Sequence, residues 1–410
     1  MELREGYKNT EVGVIPEDWE VKSIMGITTD MLQGVNTAID IPEYVESGYP
    51  MLKANNIIDG EVNFSTSDHI SDKTYQGYSD RFKIKKDDFL FSNIGARLGT
   101  GSLMKTSTEC SFAWNVMRII PNQKIVKPEF LSCIMNSPAL FKEIKKNESG
   151  SGMGFVPKNV LQTLTFPIPT NLIEQTAIAT ALSDADALIN SLEKLIAKKR
   201  NIKQGVMQQL LKPKEGWETR TLKELARYRR GSFPQPYGLD KWYDDTNGFP
   251  FVQVFDVDDN FQLKNETKRR ISKEAQDMSV YIAKGSVIIT LQGSIGRIAI
   301  TQYDAYVDRT LLFFESFIVP FDKYFFLLSI FNLFEKEKEK APGGIIKTIT
   351  KEALSSFTIS YPQIKEQARI ATILSDMDAE IQALVTKLEK YRNIKLGMMQ
   401  NLLTGKIRLV

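Results

Sequence analysis

The side chains that carry catalysis elsewhere form no working set in this chain. His69 is its one histidine, which removes histidine-based triads and any His-rich metal centre. Cys110 and Cys133, the two cysteines, give neither a disulfide framework nor zinc spacing. The tetrapeptide Asn-Pro-Pro-aromatic of amino-methyltransferases is missing. Gly95-Ala-Arg-Leu-Gly99-Thr-Gly101 follows an apolar run, yet no Lys-Ser/Thr closes it as a phosphate loop and no acidic ribose partner follows. It reads as a turn, and Gly150-Ser-Gly152-Met-Gly154 as a loop. Asp184 with Asp186, and Asp376 with Asp378, suggest paired carboxylates, but residues two apart on a helix point to different faces; they read as solvated or facing a partner. Glu335–Lys340, strictly alternating in sign, reads as a charged helical surface. The sequence therefore assigns no catalytic residue, no metal ligand and no cofactor to this chain.

What must position the remaining polar residues is legible at larger scale. With 410 residues and 42% hydrophobic content the chain can bury more than one core. Lys+Arg of 53 against Asp+Glu of 50 leaves +3, so a surface for an anionic polymer has to come from local clusters. The opening MELREGYKNTEVGV lacks the apolar region of a signal peptide, which points to the cytoplasm. Leu311–Phe334 is strongly apolar but contains Glu315, Pro320, Asp322 and Lys323, costly in hydrocarbon; it is expected to be a buried core segment, with no membrane partner.

The strongest signal is a duplication. Residues 174–211 return 192 positions later without a gap: Glu174-Gln175 as Glu366-Gln367, Leu182-Ser183-Asp184 as Leu374-Ser375-Asp376, Arg200–Lys203 as Arg392–Lys395. Each copy carries steps of four and three, the seam of a coiled coil. In the first copy these are Ile178, Leu182, Ala185, Ile189, Leu192, Ile196 and Lys199. In the second they are Ile370, Leu374, Met377, Ile381, Leu384, Leu388 and Tyr391. Two apolar stripes in one chain leave water together by pairing, most simply as an antiparallel intramolecular pair, and a helix over 174–211 would run about 57 Å. Lys198, Arg200 and Lys203 recur as Lys390, Arg392 and Lys395, open to a partner or phosphate role as well as to plain solvation.

Before each copy lies a segment rich in turns and short apolar runs, read as a mixed α/β domain. Strands are expected at Phe89–Phe91, Asn115–Ile120, Phe249–Val254 and Val287–Thr290. Trp19-Glu20 corresponds to Trp217-Glu218, Gly48-Tyr49-Pro50 to Gly248-Phe249-Pro250, and the turn at Gly95 to that at Gly293. The expected organisation is α+β: a domain over 1–168, a spacer helix over 169–213, a second domain over 214–361, and a distal helix with tail over 362–410. A pseudo-twofold circular arrangement would place residues 404–410 near Val12–Trp19.

This pattern resembles the specificity subunit of a Type I restriction–modification system. The resemblance covers the whole chain and rests on Phe166-Pro-Ile-Pro169 before Glu174-Gln175-Thr-Ala-Ile-Ala179, on Ile364–Ala371 (IKEQARIA), and on the endings Arg200-Asn-Ile-Lys203 and Leu402-Leu-Thr-Gly-Lys-Ile407. It implies that the two variable domains are target recognition domains, each reading half of a split, asymmetric site on double-stranded DNA. The helices would act as ruler and as docking surface for two adenine-N6 methyltransferase subunits, and restriction/translocase subunits would join them. S-adenosylmethionine would belong to the methyltransferase partner.

On that reading, polar residues at turns are the candidates for base edges, Arg or Lys for guanine and Asn or Gln for adenine. In the first domain these are Gln33, Asn36, Asn55, Asn56, Asn93, Arg97 and Lys158. In the second they are Arg229, Arg230, Gln253, Lys268, Arg269, Arg270, Gln292, Arg297 and Lys347. Phe233, Tyr237, Trp242 and Tyr243 could stack on a nucleic acid, although aromatics beside Pro and Gly more often anchor their own loop. Two rival readings are a methyltransferase with a fused recognition region, against which the missing catalytic signatures speak, and a coiled-coil scaffold that does not read DNA.

Overall fold

A computed structural model describes residues 4–58, 60–147, 154–293, 295–340 and 351–410. The chain divides into two compact units, one formed by Met1–Leu192 with Lys387–Val410 and the other by Glu193–Thr386. Each unit is built around one mixed domain.

The two domains share a frame of short strands. In the first, a four-stranded sheet runs in the order Gly101–Leu103, Phe89–Phe91, Met117–Pro121, Thr28–Gln33. In the second, Ile298–Ile300, Val287–Thr290, Leu311–Phe317 and Ala226–Arg230 take the same order. One central strand of each sheet carries an apolar run, Phe89-Leu90-Phe91 and Val287-Ile288-Ile289, because both its faces are covered. A second sheet in each domain contains one parallel pair, Ser111–Phe112 with Tyr49–Leu52 and Ala305–Val307 with Phe249–Val252. Leu311–Phe334 is a strand followed by the helix Lys323–Lys340; Leu311–Phe314, Phe325–Leu328, Ile330 and Phe334 are buried as expected, while the stretch between Phe314 and Phe325, with Ile318 exposed, is not. No helix among the described residues is long and apolar enough to cross a membrane.

Two-stranded ribbons, Trp19–Ser23 with Thr165–Pro169 and Glu218–Thr221 with Thr358–Tyr361, deliver the chain to the long helices Leu172–Leu210 and Ile364–Leu402. The repeated glutamine fixes each helix start. Gln175 is fully buried; its Nε2 donates to the carbonyls of Ile125 (2.9 Å) and Pro169 (2.8 Å), and its Oε1 accepts from Lys127 N–H at 2.8 Å. Gln367 repeats this, donating to Pro362 O (2.9 Å) and accepting from Asp322 N–H (3.0 Å). Each side chain thus joins the strand that precedes its long helix to the backbone just ahead of a domain helix, Pro128–Met135 or Lys323–Lys340.

Within each unit the start of one long helix lies against the end of the other, which makes the pairing antiparallel. Ile178, Ala179 and Leu182 share a core with Met399, Leu402 and Leu403; Ile370, Ala371 and Leu374 share another with Met207 and Leu211. Of the seam residues, Ile178, Leu182, Ile189, Leu192, Ile196, Ile370, Leu374, Ile381 and Leu388 are buried, and Met377 and Leu384 half-buried. Of the repeated carboxylates, Asp184 and Asp376 are exposed as expected, whereas Asp186 and Asp378 pair across the two helices. Asp186 pairs with Lys395 at 2.5 Å, and its repeat equivalent Asp378 pairs with Lys203 and accepts from the Tyr324 hydroxyl. Position 186 and its partner are the images of 378 and 203, so the duplication preserved the ion pair along with the seam.

The tail meets the first domain beside Pro16, Asp18 and Trp19, the contact expected of residues 404–410. Arg408 donates twice to Asp18 at 2.9 Å and to the fully buried Glu174, which also accepts from Trp19 Nε1 at 3.1 Å. Tyr7 donates its hydroxyl proton to Gly405 O at 2.9 Å, and Gly405, at φ 70°, has no room for a Cβ beside Pro16. Glu366, the image of Glu174, is only half-buried and pairs instead with Arg369 at 2.7 Å. The Arg408 hydrogen bond holds the Asp18 carboxyl below its ordinary range. Its stabilising share is therefore complete above that range and lost as pH falls through the depressed folded value. We expect Arg408→Ala to cost up to about 3–5 kcal/mol at neutral pH, since Glu174 loses its guanidinium. The gap in melting temperature between wild type and variant should narrow as pH falls below about 4 and Asp18 takes up its proton; a gap that stays constant down to about pH 2 would contradict this arrangement.

Candidate nucleic-acid interface

The frame aligns the two domains residue by residue where their sheets end. Gly34 donates to Val116 O and Gly231 to Leu311 O, both at 3.1 Å, and the next residues, Val35 and Ser232, bond Phe112 O and Val307 O. A Cβ on either glycine would stand 2.2 Å from a carbonyl oxygen, of Ala113 or Val307, so only glycine allows this approach of backbone to backbone. Ala113 N–H to Leu52 O (2.8 Å) matches Asp308 N–H to Val252 O (3.0 Å). By this register Gln33 stands where Arg230 does, Lys53 where Gln253 does, and Trp114 where Arg309 does.

In the second domain these positions form a connected polar surface. The Gln253 backbone N–H is held by the buried Asp256 carboxylate at 2.8 Å, the start of the 3-10 turn Val254–Asp256. Its Nε2 donates to Tyr237 Oη at 2.8 Å, and Tyr237 donates to Asp308 at 3.1 Å. Burial, and then the nearby Asp308 carboxylate, push the Tyr237 phenol well above its ordinary value, so it remains a donor at neutral pH. Arg309 lies over the Tyr237 ring at 5.1 Å, and Lys268 over the exposed Phe255 at 4.9 Å. Gln292 is exposed in the hairpin whose Gly293 abuts Val254.

In the first domain Gln33 and Asn93 exchange amide hydrogen bonds at 3.1 Å, and Gln33 also donates to Trp114 O. Lys53 opens the matching 3-10 turn, its N–H held by Asn56 at 2.8 Å, and its ammonium pairs with Asp68 and faces the Tyr44 ring at 5.4 Å. Trp114 is 49% exposed. Asn115 Oδ1 accepts from Ala54 N–H at 3.3 Å.

The sequence-derived candidates separate accordingly. Asn56 and Asn93 are inside the domain, 1% and 0% exposed, with their amides bonded to the protein; they organise loops instead of presenting themselves to solvent. Asn36 is half-buried and accepts from Ala38 N–H. Asn55, Arg97, Lys158, Arg230 and Lys268 are exposed. Arg229 is exposed but paired with Glu315 at 2.7 Å, and Arg297 with Asp259 at 2.9 Å. Arg269 stacks on Tyr243 at 3.7 Å and bonds Asp245; Arg270 donates to Gly248 O at 2.7 Å, which anchors that end of the loop. Lys347 lies outside the described residues. Of the aromatics, Phe233 and Trp242 are buried, and Phe233 packs against Tyr243 and Phe251, so they anchor their loop. Lys53, Trp114, Asn115, Asp308 and Arg309 escaped sequence reasoning. The signal for them lay in following the aligned strands one residue past their ends. Among the described residues no group of three or more His, Cys, Asp or Glu side chains could hold a metal.

The model of the Type I restriction modification DNA specificity domain matches residues 16–204 and again 214–390. The chain belongs to this family. As a specificity subunit it is a non-catalytic component of its system. It is 24% identical to a chain assigned as the type I restriction enzyme MjaX specificity subunit of Methanocaldococcus jannaschii, across 99% of this chain and 97% of that one. It is 25% identical to the type I restriction enzyme EcoBI specificity subunit of Escherichia coli, over 47% of this chain and 41% of the relative. The fold matches the S subunit of a Type-I restriction-modification system from M. genitalium with a TM-score of 0.60 at 14% identity, covering 98% of both chains.

Proposed function

We propose that this specificity subunit recognises a bipartite, asymmetric sequence on double-stranded DNA and positions two adenine-N6 methyltransferase subunits on it, with restriction subunits recruited to the same assembly in the cytoplasm. One observation carries the reading: two copies of one frame present different side chains at equal positions, Lys53 against Gln253 and Trp114 against Arg309. Identical heads would read a symmetric site; unlike heads read an asymmetric one. The family membership supports the DNA target, and the methyl donor S-adenosylmethionine belongs to the modification partner. Phosphate contacts from exposed Lys and Arg fix register, while amides and aromatics at the loop ends read base edges.

The test is to map methylated adenines in host DNA with and without this chain. One split motif should vanish on deletion and return with the gene; an unchanged methylation map, or methylation without sequence preference, would overturn the proposal in favour of a scaffold. The ruler role has its own test. Seven residues added to each long helix at matching positions lengthen it by about 10 Å, close to three base pairs at 3.4 Å each. The spacer of the methylated motif should grow accordingly, and an unaltered spacer in an active complex would exclude a ruler.

A further inference from the structure

A proton inventory in the second domain fixes how one amide faces solvent. Asp308 is 1% exposed and accepts from Thr310 twice, through N–H at 2.9 Å and Oγ1 at 2.5 Å. Its other oxygen accepts from Tyr237 Oη. A carboxylate offers no proton, so the phenol must donate to it, which leaves only lone pairs on Tyr237 Oη for a second partner. The atom of Gln253 that faces the phenol is therefore the amide nitrogen, chosen by the network and not by the shape of the side chain. Among the described residues Gln253 Oε1 has no protein partner, and one Nε2 proton remains.

The amide so held carries one acceptor and one donor side by side in a fixed plane. That is the pairing for the N6–H donor and N7 acceptor of adenine in the major groove. The surroundings suit a duplex edge: Tyr237 is 40% exposed, and the exposed cations Arg309 and Lys268 stand over the two neighbouring rings, placed for phosphates.

Resting on the DNA-reading function proposed above, we propose that Gln253 reads an adenine in the half-site of the second domain, with Tyr237 and Asp308 as positioning residues that set the direction of its amide. Neither acts on the base directly. Removing the phenol hydroxyl frees the amide to turn over and exchange its donor and acceptor.

The experiment uses the full chain expressed with the host's modification subunit, the methylated motif being mapped for wild type, Gln253→Ala and Tyr237→Phe, with melting curves for each. Gln253→Ala should lower the preference for adenine at one position of one half-site by roughly 5- to 150-fold, the discrimination of a bidentate pair. The other half-site should be unchanged. Tyr237→Phe should relax the same position to a smaller degree, an outcome that a purely structural role for the loop would not give. An unchanged motif with Gln253→Ala, or an even loss of methylation at all sites with normal melting, would overturn the assignment. If Gln253→Ala fails to fold, Tyr237→Phe decides: relaxation at a single adenine upholds it and an intact motif refutes it. A wild-type complex that methylates no defined sequence would instead remove the proposed function, and this inference with it.

Discussion

Gln175 and Gln367 are the constraint on which both halves of the molecule depend. Each is a buried amide whose donor and acceptor are both used on backbone groups, and those groups belong to different elements: the strand entering a long helix and the turn opening a domain helix. A buried amide left unbonded is costly, whereas one fully bonded locks its neighbours. The long helix therefore leaves its domain in a set direction from its second turn onward. Apolar seam residues then decide which face meets the other helix, and the repeated pairs of Asp186 with Lys395 and Asp378 with Lys203 fix the register of that meeting.

Beyond those attachment points the two domains keep backbone and exchange side chains. Gly34 and Gly231 hold the same close approach, and the 3-10 turns at Ala54–Asn56 and Val254–Asp256 have the same anchor position, occupied by Asn56 in one and Asp256 in the other. Backbone hydrogen bonds are indifferent to side-chain identity, so substitutions at Lys53 and Gln253, or Trp114 and Arg309, leave the frame standing. A recognition surface can then change its target without refolding its support. The attachments are not identical: Glu174 is buried under Arg408 while Glu366 pairs locally with Arg369, and Gln175 donates to Ile125 O as well as to Pro169 O where Gln367 donates to Pro362 O.

How much of this was readable beforehand depended on periodicity. The helices, their pairing and the closing contact of the tail were legible because Ile178 to Ile196 and Ile370 to Leu388 repeat every three or four residues and because the duplication keeps register over many turns. The strands Phe89–Phe91 and Val287–Thr290 were legible as apolar runs. The reading surface was not. Asn56 and Asn93 have the composition of exposed loop residues, yet they bond inward, since a turn of several residues leaves buried N–H and C=O groups that a short amide can satisfy. Lys203 and Lys395 were open to several roles because an ion pair across two helices joins residues far apart in sequence. Arg309 and Trp114 gave no local signal; only the strand register brings them beside Gln253 and Gln33.

Hydrogen exchange of Gln175→Leu and Gln367→Leu tests the central constraint most directly. Leaving a buried donor without its acceptor costs about 1–3 kcal/mol, so amides around the affected helix start should exchange roughly 5- to 150-fold faster. The effect should fall on 125–135 and 172–182 for Gln175→Leu, and on 320–330 and 364–374 for Gln367→Leu, with the other domain unchanged. Protection equal to wild type in both variants, or a uniform loss across the whole chain, would show that the helices are held to their domains by something else.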